Sequence, residues 1–584
     1  MLGFCAFLMI FPVSLLTQAH ALYNSVSVRK GVDNDDFSKR AFRIQQAFWG
    51  DNCKITYDQQ KSLTTELKTA LQIIRERIRQ ENNKVEKVVS QFNSDDGGGS
   101  TGLKNELYAL MKLISMDCSE AMRSYAGQIL QYSVEMLLIK PPCSFTAGAI
   151  GSLAKGEATP YSDLEYFFLI KNKNPTTINY FELLAVTSYF FIGNLGETKL
   201  SYMAIDELKR WFDDKAKNGF KIDGLLDGAG NIPTGNGSKG QKNHFIVTPS
   251  ELADRYKHIL QNPDPEESLR GDLSAMLAYT SPLYSYQEGE TDAELIEVFK
   301  NKMKTNGQND LRRAANMAML QTDAKKFNFV PDGSLIIKGY GADVKKELYR
   351  FPSIVALDIA LLCGSCGSSS WDTLQNLAQN GRISPYLSNA LKFLLAAATY
   401  IRLSTYFYHN SHDDRMSVLQ GLSQQPEEET QNQSRKRWHI PVGLFSAVCN
   451  TMMPLKEFLA QHLFNITDLR KFNSLISDPW WSKVKTLFYT NRKAEALSAL
   501  KQKCPDLSEE PVKSVLTLVE STGQSLKKTM HIVSESLLMC SEQKAALQLY
   551  IYMTEKKRIA TCHFELGEFE MCAEILQNIQ HKTS

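Results

Sequence analysis

The sequence predicts an α+β domain with a short mixed sheet, embedded in a predominantly α-helical multidomain chain. Three observations carry that expectation. Most of the 584 residues fall in stretches where apolar side chains recur every three or four positions, the period of a helix buried on one face. Residues 143–250 interrupt that period with short strand-like runs. Two breaks, at 94–102 and 424–437, divide the chain, whose length suits roughly three to four domains.

Lys and Arg number 66 against 64 Asp and Glu, a net charge of +2, so bulk charge supplies no basic surface for a nucleic-acid backbone. With 43% hydrophobic residues there is apolar material for several cores. Eleven cysteines are scattered without the spacing of a disulfide framework, and buried thiols in a reducing compartment are expected.

Along the chain, 1–21 is an apolar, signal-like segment ending in Ala19-His20-Ala21, without the basic start of a secretory signal. It is too short and too early for a membrane span. Its removal would leave ten cysteines, and Asn236, Asn432 and Asn465 head formal glycosylation sequons, so a secretory route stays open. Residues 22–102 are an N-terminal helical region: "TTELKTALQIIRERIRQENNKVEKVV" reads as a core-packing helix, with a coiled-coil arm as the alternative. Residues 103–250 hold the α+β domain, from a helix over 103–140 through the strand "EYFFLI" (165–170) and the helix "YFELLAVTSYFFIGNL" (180–195) to "GFKIDGLLDGAGNIPTGNGSKG" (219–240), which starts as a strand and ends as a Gly-rich loop. Residues 251–423 read as mostly helical, with runs at 310–327, 351–362 and 390–409. The linker 424–437 is too polar to bury, and 438–584 is helical again. There, 487–506 and 558–576 resemble tetratricopeptide helix pairs.

The chemistry concentrates in "GAIGSLAKGEATPYSDLEYFFLI" (148–170). Asp163 and Glu165 stand two apart at a strand start, so both carboxylates face one side of the sheet. Two such charges repel unless a cation lies between them, and magnesium takes its oxygen ligands from one or two carboxylates plus substrate phosphates. Ahead of them, Gly148 and Gly151 let backbone N–H groups approach phosphate, Ser152 adds a hydroxyl and Lys155 a positive charge. The bland alternative is a turn whose acids are solvated; the ordered set of residues favours the metal reading.

This stretch resembles the signature of the polymerase-β-like nucleotidyltransferase superfamily, in particular the N-terminal catalytic domain of bacterial protein-PII uridylyltransferases and glutamine-synthetase adenylyltransferases. That pattern has Gly-Gly/Ser, Arg-Gly-Glu, Pro-Tyr-Ser and Asp-x-Asp. Lys155 stands at the arginine and Glu165 at the second aspartate. Lysine keeps the charge without the bidentate fork, and glutamate keeps a ligating carboxylate. The resemblance spans roughly 100–410, strongest at 148–170. It implies two Mg2+ ions held by Asp163, Glu165 and a third acid. Asp223 is that acid, with Asp227 as its neighbour in contention, and it would also draw a proton from the attacking hydroxyl. Gly151, Ser152 and Lys155 would bind the nucleoside triphosphate. Glu157 is expected to hydrogen-bond the loop rather than to ligate.

Cys363 and Cys366 with His409 and His412 could be arranged as a zinc set, but cysteines ending a helix are expected to pack. His412-Asp413 resembles part of the phosphohydrolase motif of uridylyltransferases; the further histidines and acids it needs are missing, so the reverse reaction is not expected. The reading is therefore a nucleotidyltransferase that moves a nucleoside monophosphate onto an acceptor hydroxyl, on a protein recruited by the C-terminal helices. A cytoplasmic setting is favoured because the substrate is a triphosphate. The rival is an inactive adaptor whose helical repeats bind protein partners.

Overall fold

The computed structural model describes residues 20, 35–92, 100–198, 218–222, 233, 245–261, 279, 281–287, 294–304, 309–326, 342–364, 367–417, 438–462, 468–471, 481, 484, 487, 492–522, 526–539, 542–554 and 556–580. The chain is mostly helical and carries a small mixed four-stranded sheet.

Among the described residues, three α-helices precede the sheet: α1 (Asp35–Trp49), α2 (Tyr57–Val89) and α3 (Thr101–Met136). The single helical run expected across this region is thus broken before Tyr57. The break has a local cause. Thr56 is extended and forms a capping box with Gln59, which starts α2 afresh. Ser100 caps α3, its hydroxyl accepting the Leu103 N–H. α2 and α3 pack along each other through Leu67, Leu71, Ile78 and Val85 on one side and Leu107, Met111, Cys118 and Met122 on the other, all buried.

The sheet is built from β1 (Phe145–Ala149), β2 (Tyr166–Ile170), β3 (Ile246–Val247) and β4 (Ser281–Tyr286) in the order β3-β2-β1-β4. β1 pairs antiparallel with both β2 and β4, and β3 runs parallel to β2. Every residue of β1 and β2 is buried, as expected of central strands covered on both faces. Gly148 in β1 is needed for space: a Cβ there would stand 2.4 Å from the Phe167 ring. Between β1 and β2 lies the single-turn helix α4 (Gly151–Lys155). After β2, Asn174 caps α5 (Pro175–Asn194), whose apolar surface lies on α3. α6 (Pro249–Gln261), α7 (Leu295–Lys304) and α8 (Asn309–Lys326) follow.

β4 had no counterpart in the mostly helical reading of 251–423. Pro282 and partial exposure mark it as an edge strand, and neither gives it a strong period.

The next region opens with β5 (Ala342–Asp343) and a π-helical turn, Val344–Tyr349, that runs straight into α9 (Arg350–Cys363). α10 (Ser370–Gln379) and α11 (Pro385–His409) follow, each capped by the serine before it. α11 crosses α3 and covers the π-helical turn, and Asn410 in the left-handed conformation ends it. β6 (Arg415–Ser417) and β7 (Trp438–His439) join β5 in a second sheet. The linker residues 424–437 lie outside the described residues. On their far side β7 pairs with β6 and α12 (Val442–Glu457) packs on α11, so this helix belongs to the same body as α9–α11.

Beyond α13 (Asp468–Lys471), six helices, α14 (Lys493–Lys503), α15 (Pro511–Thr522), α16 (Leu526–Met539), α17 (Gln543–Tyr552), α18 (Lys556–Glu565) and α19 (Phe569–Gln580), stack on helices next or next but one in sequence. Among the described residues, all cysteines are free thiols and no helix is long and apolar enough to cross a membrane.

Candidate functional site

The Gly-Ser turn and the acidic stretch are held side by side by the sheet. β1 ends at Ala149, and the Ile150 N–H donates to the Glu165 carbonyl at 2.9 Å. Gly151 then takes a φ of +62°, and a Cβ there would stand 1.9 Å from Glu165 Oε2. Both the backbone conformation and the close approach require glycine. The Glu165 carboxylate therefore rests on the turn that opens α4. Ser152 is half-buried in that turn, and its carbonyl accepts the N–H groups of Gly156 and Glu157.

Leu164 is buried while Asp163 and Glu165 on either side are half-buried, the alternation expected when the two acids share a face. The Leu164 N–H donates to the Lys221 carbonyl at 2.7 Å, and Leu164 forms a parallel bridge with Ile222. A third extended segment thus runs beside the acidic pair. Asp223 and Asp227 lie outside the described residues; Ile222 directly precedes Asp223 in the chain.

Asp163 has basic neighbours. His412 Nδ1 is 3.4 Å from its Oδ1, and Lys221 Nζ is 3.9 Å away. Burial pushes the carboxyl up, but His412, Lys221 and Lys345 more than offset it and bring its pKa down to about 2. Neither Asp163 Oδ1 nor His412 Nδ1 completes an aligned hydrogen bond, although both are buried. The carboxylate is thus ionised, and its buried Oδ1 faces His412 and Lys221 without an aligned hydrogen bond.

Lys155 turns inward. Only 8% exposed, it donates to Ser353 Oγ of α9 at 2.5 Å and lies 3.5 Å from Glu157 Oε2. Glu157 is fully buried and accepts from the Tyr349 and Ser353 hydroxyls at 2.5 and 2.6 Å. Where a charge for phosphate was expected, the Lys155 side chain instead fastens the turn to α9. Glu157 was expected to hydrogen-bond its own loop; its hydrogen bonds instead come from Tyr349 and Ser353 on the π-helical turn and α9.

Sequence reasoning missed the contribution of α11 and the loop after it. Arg402 is buried, donates to the Tyr406 hydroxyl at 3.0 Å and stacks over the Tyr349 ring at 4.4 Å. Tyr406 donates to Asp414 at 2.6 Å, and its ring lies 4.9 Å from that of His412. Tyr161, in the motif itself, donates to Asn410 at 3.0 Å and is covered by Arg75, which is paired with Glu197. A cavity of about 600 Å³ lies beside this pair, lined by Lys68, Gln72, Arg75, Glu197 and Asn410 among others. The His412-Asp413 dipeptide was the only sequence signal for this cluster.

The zinc arrangement does not form among the described residues: His409 bonds the Arg415 carbonyl and His412 faces Asp163, while Cys366 lies outside them. No group of three or more His, Cys, Asp or Glu side chains among the described residues is arranged to hold a metal. No protein-family model matches the chain, and no curated protein matches it.

Proposed function

We propose that the chain is a nucleotidyltransferase that moves a nucleoside monophosphate from a triphosphate onto an acceptor hydroxyl. One observation carries the reading: strand, Gly-Ser turn, Asp-x-Glu and strand are packed as one unit, with the segment leading to Asp223 bridged to the residue between the two acids.

The residues present fit a divalent cation in one respect. Asp163 is ionised, and its buried Oδ1 has only the long contacts to His412 and Lys221 and no aligned hydrogen bond, so a cation could take their place. Asp163, Glu165 and Asp223 would hold two magnesium ions, which when bound supply the positive charge that offsets the phosphates. The other tasks belong to the chain. Ser152 and the backbone of the Gly151 turn offer donors to phosphate oxygens. Asp223 draws the proton from the acceptor hydroxyl as its oxygen bonds the α-phosphorus and pyrophosphate leaves. Lys155 and Glu157 keep the turn seated on α9. The stacked C-terminal helices are suited to recruiting a protein acceptor, as a TPR-like array would.

A second reading, an inactive adaptor, draws support from two placements. His412 and Lys221 stand against Asp163 where a cation would compete with them, and Lys155 is committed to Glu157. The two readings separate on one experiment. The protein is incubated with each α-labelled triphosphate, Mg2+ and a cell lysate. A labelled acceptor that disappears with Asp163→Asn or Glu165→Gln supports transfer. No labelled acceptor and no Mg2+-dependent nucleotide binding by the unaltered protein would make it an adaptor.

A further inference from the structure

We infer that the loop after α11 is a strap: His412 and Asn218 hold the segment 218–222 against Asp163, so the helical region positions the acids of the site. This rests on the nucleotidyltransferase reading for its consequence in catalysis, but the strap itself is a matter of contacts. The His412 N–H donates to the Asn218 carbonyl at 2.5 Å, and the Asn218 side-chain amide returns a bond to the His412 carbonyl at 2.8 Å. A two-way bond of this kind fixes both position and direction. Asn218 Oδ1 also accepts from Lys221 Nζ at 2.8 Å, and that ammonium reaches on to Asp163. From Lys221 the carbonyl bonds the Leu164 N–H, and the next residue, Ile222, bridges Leu164.

The His412 ring is set from the other side. It lies on Tyr406, with Nε2 3.8 Å from Asp414 Oδ2 and Nδ1 turned to Asp163. Tyr406 is in turn bonded to Asp414 and to the buried Arg402. A second tie, Tyr161 to Asn410, fastens the same loop to the motif two residues before Asp163. The segment that leads into Asp223 has no ladder of its own beyond the single bridge to Leu164 among the described residues. Glu197 takes the Gly219 and Phe220 N–H groups and the buried Phe220 ring packs on Tyr125, which anchors the middle of the segment. The strap adds the tie that holds its start and Lys221 at Asp163. His412 and Asn218 are positioning residues: they act through Asp163 and through the chain that continues into Asp223.

Hydrogen exchange and kinetics together test this in the full-length protein. In Asn218→Ala, which removes the side-chain bond to the His412 carbonyl and the bond from Lys221, the Leu164 amide should exchange about 10-fold faster or more, while amides in β1 keep their protection. His412→Ala keeps both backbone bonds and removes only the ring at Asp163, so it tests the positioning role. Transfer should slow by about 100-fold in kcat, the order expected of a misplaced reacting group, with the Kd for triphosphate in the absence of metal unchanged. His412→Asn, which keeps a donor facing Asp163, should recover most of the kcat. Unchanged Leu164 exchange in Asn218→Ala would overturn the strap, whatever the activity. Equal loss in His412→Ala and His412→Asn, tracking lost thermal stability, would overturn the positioning role. If the unaltered protein transfers nothing to any acceptor, the enzyme reading falls, and the exchange result alone then upholds or overturns the strap.

Discussion

Lys155 and Glu157 are a charge pair sealed under α9, with the Ser353 and Tyr349 hydroxyls both donating to Glu157 Oε2. Breaking such a pair leaves one charge buried without its partner, which costs far more than the intact pair contributes. Lys155→Met should therefore destabilise the fold by about 3–5 kcal/mol in urea unfolding, and adding Glu157→Gln should recover much of that. A loss under about 1 kcal/mol, with weaker triphosphate binding instead, would return Lys155 to the phosphate role its place in the motif suggested. Asp163 gives the pH-dependent case. Its carboxyl is held at about 2 in the fold, against about 3.9 in an unfolded chain. The ionised form is the one stabilised, so its contribution of about 2 kcal/mol is complete above about pH 4 and fades as the pH falls through about 2. NMR titration of this carboxyl should find that midpoint, and His412→Ala should raise it. A midpoint unmoved by His412→Ala would mean that the imidazole does not act on Asp163.

At the scale of elements, β6 and β7 pair across the 418–437 segment, and α12 rests on α11. Limited proteolysis should cut within the polar residues 424–437, yet the two products should stay together through gel filtration until denatured. Separation without denaturant would show that the pairing of β6 with β7 and the α11–α12 contact do not hold the halves together. The elements also show which signals a sequence transmits. β2 was legible because five consecutive apolar or aromatic residues, bounded by Glu165 and Lys171, admit little but a central strand. α11 was legible in its apolar period, but its start five residues earlier lay in the Ser384-Pro385 cap. β4 and the second sheet were not legible, since an edge strand with proline and strands of two or three residues carry no period. The signature at 148–170 called for close-approach glycines beside an acidic pair, but not for the Gly151–Glu165 contact itself. It could not place Lys155, whose partners lie on α9, nor predict His412, which reaches Asp163 from far along the chain.

For the whole molecule, the arrangement is a small sheet bearing the acids, helices that clamp it from the N-terminal side and from α9–α12, and a stack of helices at the C-terminal end. If the acids act as one unit, Asp163→Asn, Glu165→Gln and Asp223→Asn should each abolish transfer, and any double change should cost little more than a single one. Transfer persisting in Asp223→Asn would make Asp227 the third acid. The central claim, that these carboxylates form a metal site for a nucleotide, is most directly tested by electron paramagnetic resonance of Mn2+ titrated into the protein with a non-hydrolysable triphosphate analogue. The account predicts nucleotide-dependent Mn2+ binding that Asp163→Asn and Glu165→Gln abolish, while the circular dichroism of both variants stays that of the unaltered protein. Mn2+ bound equally by the unaltered protein and both variants, or by none of them, would contradict it.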